Sequence, residues 1–208
     1  MPKNSIDATN AKKEEIITAL EELYKTKSFK ELTIKEISHS LPFGRTSIYT
    51  YFQTKEEIFL LLNKREYDRW IEDLNSITAN HATLKKKELA DLIAKSLAKR
   101  ENLLKLMSMN HFEMEANSRD EILVEFKTSF GKALKTVSAL MKKYCPDLNT
   151  ENFIYTFFPF IYGIYPYAAV VERQINAMEK AGVAFSYHTI YELAYLGTIN
   201  LLKNSKND

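Results

Sequence analysis

Residues able to do chemistry are few in this chain and widely spaced. Glu36-x-x-His39 could place a carboxylate and an imidazole on one metal, but a di-iron bundle needs two such pairs and two further glutamates. No second copy occurs. His188 and Glu192 stand one helical turn apart, a spacing that far more often gives a surface pair than a catalytic dyad. His111, Glu113 and Glu115 read as a solvated polar loop cluster. Cys145 is the one cysteine, which excludes an internal disulfide and a multi-thiolate metal site. Beside Pro146 at a helix end, it reads as a passive thiol before a redox sensor. No phosphate loop of the form G-x-G-x-x-G or G-x-x-x-x-G-K-[ST] is present. No enzyme, metal or cofactor is expected.

A different chemistry is written at residues 33 to 55, TIKEISHSLPFGRTSIYTYFQTK. Two short helices joined by about three residues form a helix-turn-helix, whose second helix enters the major groove of DNA. At about 100° per residue, Arg45, Thr46, Tyr49 and Thr50 share an arc of about 140° on that helix. The arc contains no acid, as a phosphate-lined groove requires. Arg45 can bond the acceptors of guanine bidentately, and Thr46 can touch a thymine methyl. Ile48, Tyr51 and Phe52 fall on the opposite side, toward Ile34 and Ile37.

These residues need a helical frame, and the sequence supplies its punctuation. A first helix reads from about residue 11 to 25, with Ile16, Ile17, Leu20, Leu23 and Tyr24 on one face. Thr33 with Glu36, Thr54 with Glu57, and Ser118 with Glu121 each have capping-box spacing. Pro42-Phe43-Gly44 stops the second helix. A long helix opens at Thr54 and carries Phe59, Leu62, Tyr67, Trp70 and Leu74. Helices are then expected at 85–98, 102–109, 118–144, 151–179 and 186–203. Five glycines and five prolines in 208 residues leave few turns, and no strand alternation stands out. The fold class is all-α, about nine helices, with an N-terminal three-helix DNA-binding domain before a larger C-terminal bundle.

Charge refines the DNA reading. The chain has 29 Lys and Arg against 27 Asp and Glu, and residues 1 to 55 have nine against seven. A DNA face must therefore be basic by segregation, with Glu14, Glu15, Glu21 and Glu22 turned elsewhere. Weak to moderate, salt-dependent affinity per half-site, reinforced by dimerisation, is the physical expectation. The apolar stretch 153–171 holds two prolines and a glycine and falls short of a spanning helix. No apolar run follows Met1-Pro-Lys-Asn-Ser. A cytoplasmic protein without membrane contact is expected.

The stretch from about residue 12 to 62 resembles the tetracycline-repressor (TetR) family of bacterial transcription regulators. The resemblance rests on the capped Thr33 helix, the Tyr49-Thr-Tyr51-Phe52 helix end and Lys55-Glu56-Glu57. It implies that Thr33, Ser47, Tyr49, Tyr51 and Lys55 hold phosphates, while Lys35, Arg45 and Thr46 face base edges. Gly44 and Thr50 complete the candidate DNA surface. Tyr51, on the inner side of its helix, reads equally well as a core tyrosine. Two residues depart from the family pattern: Pro42 stands where glycine is usual, and Gly44 where a small polar residue is usual.

The aromatic segment 153–167 is apolar on all sides, which requires burial on all sides. A core contact on one face and a partner subunit on another would satisfy it, and the family implies a dimer interface with an effector pocket beside it. Candidate effector contacts are Phe112, Phe126, Phe130, Tyr155, Tyr162 and Tyr165, favouring a hydrophobic or aromatic small molecule. Candidate dimer contacts are Tyr187, Ile190, Tyr191, Ala194, Gly197 and Leu201. Gly197 sits mid-helix, where close approach of another helix would account for it. The expected division is a DNA-binding domain at 1–53, a connecting helix at 54–77 and a ligand and dimer bundle at 78–208. The leading function is a homodimeric repressor on palindromic operator DNA, released by a small-molecule effector. The alternative keeps the DNA-binding head but gives the bundle a protein partner.

Overall fold

Among the described residues, eleven α-helices carry the regular structure and no strand occurs. The structure, a computed structural model, describes residues 3–109 and 111–203. The helices are α1 (Lys3–Tyr24), α2 (Ile34–His39), α3 (Arg45–Tyr49), α4 (Lys55–Asn80), α5 (Lys86–Lys99), α6 (Glu101–Met107), α7 (His111–Ala116), α8 (Asp120–Tyr144), α9 (Thr150–Ala168), α10 (Glu172–Lys180) and α11 (Ile190–Lys203).

Three differences from the expected elements have local causes. Residues 3–10 extend α1 toward the N-terminus, where no apolar repeat marks a helix. The expected polar loop around Glu113 and Glu115 is helix α7, with Met114 its buried anchor. One anchor in six residues gives no period to read. The expected segment 151–179 breaks after Ala168 into α9 and α10, whose axes lie 85° apart. Neither Pro159 nor Pro166 ends α9. No single helix among the described residues is long and apolar enough to cross a membrane.

The chain forms two compact units that cut across the sequence rather than along it. Of the described residues, unit one joins those up to 65 to 111–130, and unit two joins 66–109 to those from 131 on. The long helices α4 and α8 each contribute to both. In unit one, Ile16, Ile17, Leu20 and Tyr24 of α1 are buried with Leu32, Ile34, Ile37, Ile48, Phe52 and Phe59. The Phe59 ring meets Tyr24 edge-on at 5.2 Å and Phe29 at 4.8 Å. Burying such side chains contributes roughly 1.5–3 kcal/mol each before entropy is counted.

Unit two is built on Trp70, Leu74, Ile93, Leu97, Leu104, Val137, Met141, Phe153, Phe157, Ile161 and Leu202, all buried. The Trp70 indole donates to Ser96 Oγ at 3.0 Å, so its polar edge is satisfied inside the core. Lys143 donates to the carbonyls of Thr78 and His81, and Lys86 to that of Leu202, capping the C-terminal ends of α4 and α11. Helix α11 packs against α5 and α9. Cys145 is buried, and burial pushes its thiol up, which suits a passive role.

Candidate nucleic-acid interface

The helix-turn-helix forms as its caps dictate. Thr33 Oγ1 accepts from the Glu36 backbone N–H at 3.2 Å and starts α2. The Glu36 carboxylate accepts from Lys27 at 2.6 Å. Among the described residues no cluster of three metal-ligating side chains exists. Pro42 is accommodated without a left-handed residue, since Gly182 is the one position of positive φ among those described. Gly44 has φ −83° and open space around its Cβ position, so it serves as an N-cap lacking a side-chain bond.

Helix α3 is anchored through Ile48, which is fully buried, and followed by Phe52, also fully buried. Arg45, Thr46, Ser47 and Thr50 are exposed, and Tyr49 keeps 54 % of its surface in solvent. Thr33, Lys35 and Gly44 are exposed beside them, and Tyr51 is half-buried. The Arg45 guanidinium has no hydrogen bond or ion pair among the described residues. The four glutamates of α1 are ion-paired. Arg65 binds Glu14 at 2.6 Å and Glu21 at 2.8 Å, Lys12 binds Glu15 at 2.8 Å, and Lys25 binds Glu22 at 2.7 Å.

Lys55 is engaged within the chain. Its ammonium donates to the carbonyls of Phe29 at 2.8 Å and Leu32 at 3.1 Å, and lies 3.9 Å from the centre of the Phe29 ring. Two of its three N–H donors are thus spent inside the chain, tying the α1–α2 loop to the start of α4. The box expected at Ser118 and Glu121 also does not form. Ser118 Oγ donates back to the Met114 carbonyl at 2.8 Å, while the Arg119 backbone N–H goes to Glu57 at 3.1 Å.

The candidate effector residues are divided between the two units. Phe112, Phe126 and Phe130 belong to unit one, and Tyr155, Tyr162 and Tyr165 to unit two. Phe126 is buried, but Phe112 is 90 % exposed and Tyr155 72 % exposed, so these last two line no enclosed cavity. Tyr155 instead edges an open groove of about 560 Å³ with Leu134, Ser138 and Ile154. The Tyr162 hydroxyl meets that of Tyr67 at 3.1 Å. Burial first, then the neighbouring Tyr162 hydroxyl, push the Tyr67 phenol well above its ordinary range, so it stays protonated. Sequence reasoning missed Asn63, fully buried on α4, whose amide N and O both lack a partner among the described residues. Its signal was a polar residue on the Phe59–Tyr67 stripe.

The candidate dimer stripe is largely engaged within the chain. Ala194 is fully buried, and Tyr191 donates to Asp91 at 2.7 Å. Gly197 faces the Phe160 ring of α9. The helix whose close approach accounts for that glycine is thus α9 of the same chain. Tyr187 is exposed, and Ile190 and Leu201 are half-buried.

An exposed, acid-free helix held on a capped support, within an all-α chain, defines a helix-turn-helix DNA-binding protein. The profile "Bacterial regulatory proteins, tetR family" matches residues 16–62, and "Tetracyclin repressor-like, C-terminal domain" matches residues 64–189. The chain belongs to the TetR family of transcriptional regulators, which are DNA-binding proteins and not enzymes. No curated protein is similar to it in sequence. Solved structures of like fold include the fatty acid degradation regulator FadR of Bacillus halodurans, at 14 % identity over 92 % of this chain and 94 % of that one, TM-score 0.59. FadR of Bacillus subtilis, solved with stearoyl-CoA, is 17 % identical over 93 % and 98 %, TM-score 0.59. PfmR of Thermus thermophilus is 11 % identical over 92 % and 99 %, TM-score 0.59.

Proposed function

We propose that this regulator represses transcription as a homodimer on a palindromic operator and is released by a hydrophobic small-molecule effector. One observation carries the DNA reading: Gly44 to Ser47, Tyr49 and Thr50 are exposed on α3 while the nearby acids are paired off. Arg45 reads guanine and Thr46 a thymine methyl, with Thr33, Lys35, Ser47, Tyr49 and Tyr51 as flanking contacts. The nearly neutral head limits affinity per half-site, so two heads on one duplex add the avidity. Support for a homodimer comes from the outward face of α9, where Tyr155, Pro159, Pro166 and Tyr167 are exposed, and from exposed Leu196 on α11. An apolar face of this kind favours cover.

The effector class draws on the Bacillus subtilis relative seen with stearoyl-CoA: a long-chain acyl thioester is the first candidate. A regulator of this kind works in the cytoplasm. The test is a genomic footprint followed by duplex release. The expected result is a protected palindrome, vacated when a long-chain acyl-CoA is added. Protection of no site overturns the DNA reading. A second reading gives the C-terminal bundle a protein partner and draws on the exposed cluster in which Phe185 lies 6.4 Å from Tyr167 and 5.4 Å from Tyr187. Operator binding unmoved by every acyl-CoA and metabolite tried would favour it.

A further inference from the structure

We infer that Arg119, in the turn between α7 and α8, is a positioning residue that fixes the recognition helix α3 for base reading. The inference rests on the DNA-binding reading above. Arg119 belongs to the same compact unit as α3, although 68 residues separate it from Tyr51. Its side chain bonds Glu57 and the Tyr51 carbonyl at once, while Nη1 forms an ion pair of 3.3 Å with Glu121 in the first turn of α8. Nε donates to Glu57 Oε1 at 2.6 Å and Nη2 to Glu57 Oε2 at 2.9 Å, while Nη2 also donates to the Tyr51 carbonyl at 2.9 Å. The backbone N–H of Arg119 adds a bond to Glu57 Oε1 at 3.1 Å. Glu57 is buried, and its Oε2 also accepts from the Gln53 N–H at 2.7 Å. Thr54 Oγ1 closes the arrangement by donating to the Asn117 carbonyl at 2.8 Å.

The Glu121 pair is local to α8, but every one of the hydrogen bonds involves residues 51 to 57, the link that leaves α3 and starts α4. Helix α3 is five residues long. Its own side chains fasten it to the core through Ile48, with Phe52 just beyond. Two apolar anchors on one side leave rotation about the line between them unopposed. The bonds to the Tyr51 carbonyl and Gln53 N–H supply the missing constraint, because hydrogen bonds are directional and apolar contacts are not. The cation also stands at the C-terminal end of α3, where free carbonyls favour positive charge. Tyr49 and Thr50, directly before this tie, are exposed candidate DNA contacts.

The chemistry asks for arginine. A planar guanidinium offers parallel N–H groups to both carboxylate oxygens and a further N–H to a carbonyl. A lysine ammonium keeps the charge but has one nitrogen, which cannot span Glu57 and the Tyr51 carbonyl in the same way. Base-edge contacts depend on helix placement to within about an ångström, whereas phosphate contacts through flexible side chains do not. Loosening the tie should therefore separate specific from non-specific binding. A residue that only stabilises the fold would weaken both alike.

The test uses the full-length protein, wild type, Arg119→Lys and Arg119→Ala. Each is titrated against the duplex that wild type selects from a random pool and against a random duplex of equal length, with melting temperatures recorded. Arg119→Lys is expected to remain folded, to lose about tenfold or more on the selected duplex, and to stay within about twofold on the random one. Arg119→Ala should lose at least as much where it folds. An unchanged ratio between the two duplexes in Arg119→Lys overturns the inference, as do parallel losses that track melting temperature. Unfolding of Arg119→Lys itself would assign the pair to stability alone and also overturn it. A wild-type protein that selects no duplex overturns the DNA-binding reading, and this inference with it.

Discussion

The ring of Phe160 fills the space that a β-carbon on Gly197 would need: its Cζ and Cε1 would overlap that carbon, and its Cε2 would stand 2.6 Å away. Helices α9 and α11 therefore meet at a position where only a hydrogen fits. Alanine would gain about 1 kcal/mol of helix propensity there but overpack the contact, at a cost of about 1–3 kcal/mol. Gly197→Ala is expected to lower the melting temperature in thermal unfolding. A higher melting temperature would mean that Phe160 moves aside freely and that the close approach constrains nothing.

Lys55 offers a second expectation. Because its ammonium binds the Phe29 and Leu32 carbonyls, Lys55→Met should destabilise the head by about 1–3 kcal/mol, the worth of charged hydrogen bonds. The salt dependence of DNA binding should keep its slope. A slope reduced by about one unit per half-site would restore Lys55 to the phosphate contacts.

How much could be read from residue order follows from what each signal depends on. The Thr33 cap, the Pro42–Gly44 stop and the split between Ile48 inside and Tyr49 outside are local, and they were legible. Lys55 was not, because its partners lie 23 and 26 residues away. The link from Arg119 to Glu57 spans 62 residues and overrode a plausible capping box at Ser118. The aromatic excess of α9 was plain, but which of its rings face solvent depends on the packing of α11 and α6 against it. Phe112 and Tyr155 were placed on chemistry alone, and both are exposed in the chain by itself.

Asn63 is a buried amide with no partner among the described residues. Replacing such a group by an apolar one of similar shape removes a desolvation penalty of about 1–3 kcal/mol. Asn63→Leu is expected to raise the melting temperature of the effector-free protein. A clear fall would show that the amide is bonded in solution and contributes to the fold.

Acid should weaken the head through Glu57. Burial alone would raise this carboxyl, but the Arg119 guanidinium and the N–H groups of Gln53 and Arg119 outweigh it and hold it below its ordinary range. The sign follows from linkage: the stabilisation is complete above the unfolded value of about 4.3 and is lost as pH falls through the lower folded value. Denaturant unfolding from about pH 7 to about pH 3 should show falling stability below about pH 4.3. In Glu57→Gln that slope should be shallower. An identical slope would remove Glu57 from the titrating set.

Base reading by α3 is tested most directly by Arg45→Ala, measured on the duplex selected by wild type and on a random duplex at one salt concentration. A guanidinium bound to a base edge is worth about 1–3 kcal/mol of discrimination. The expected result is that loss on the selected duplex, with the random duplex nearly unchanged. Equal losses on both would make Arg45 a phosphate contact, and no loss on either would contradict α3 as the reading helix.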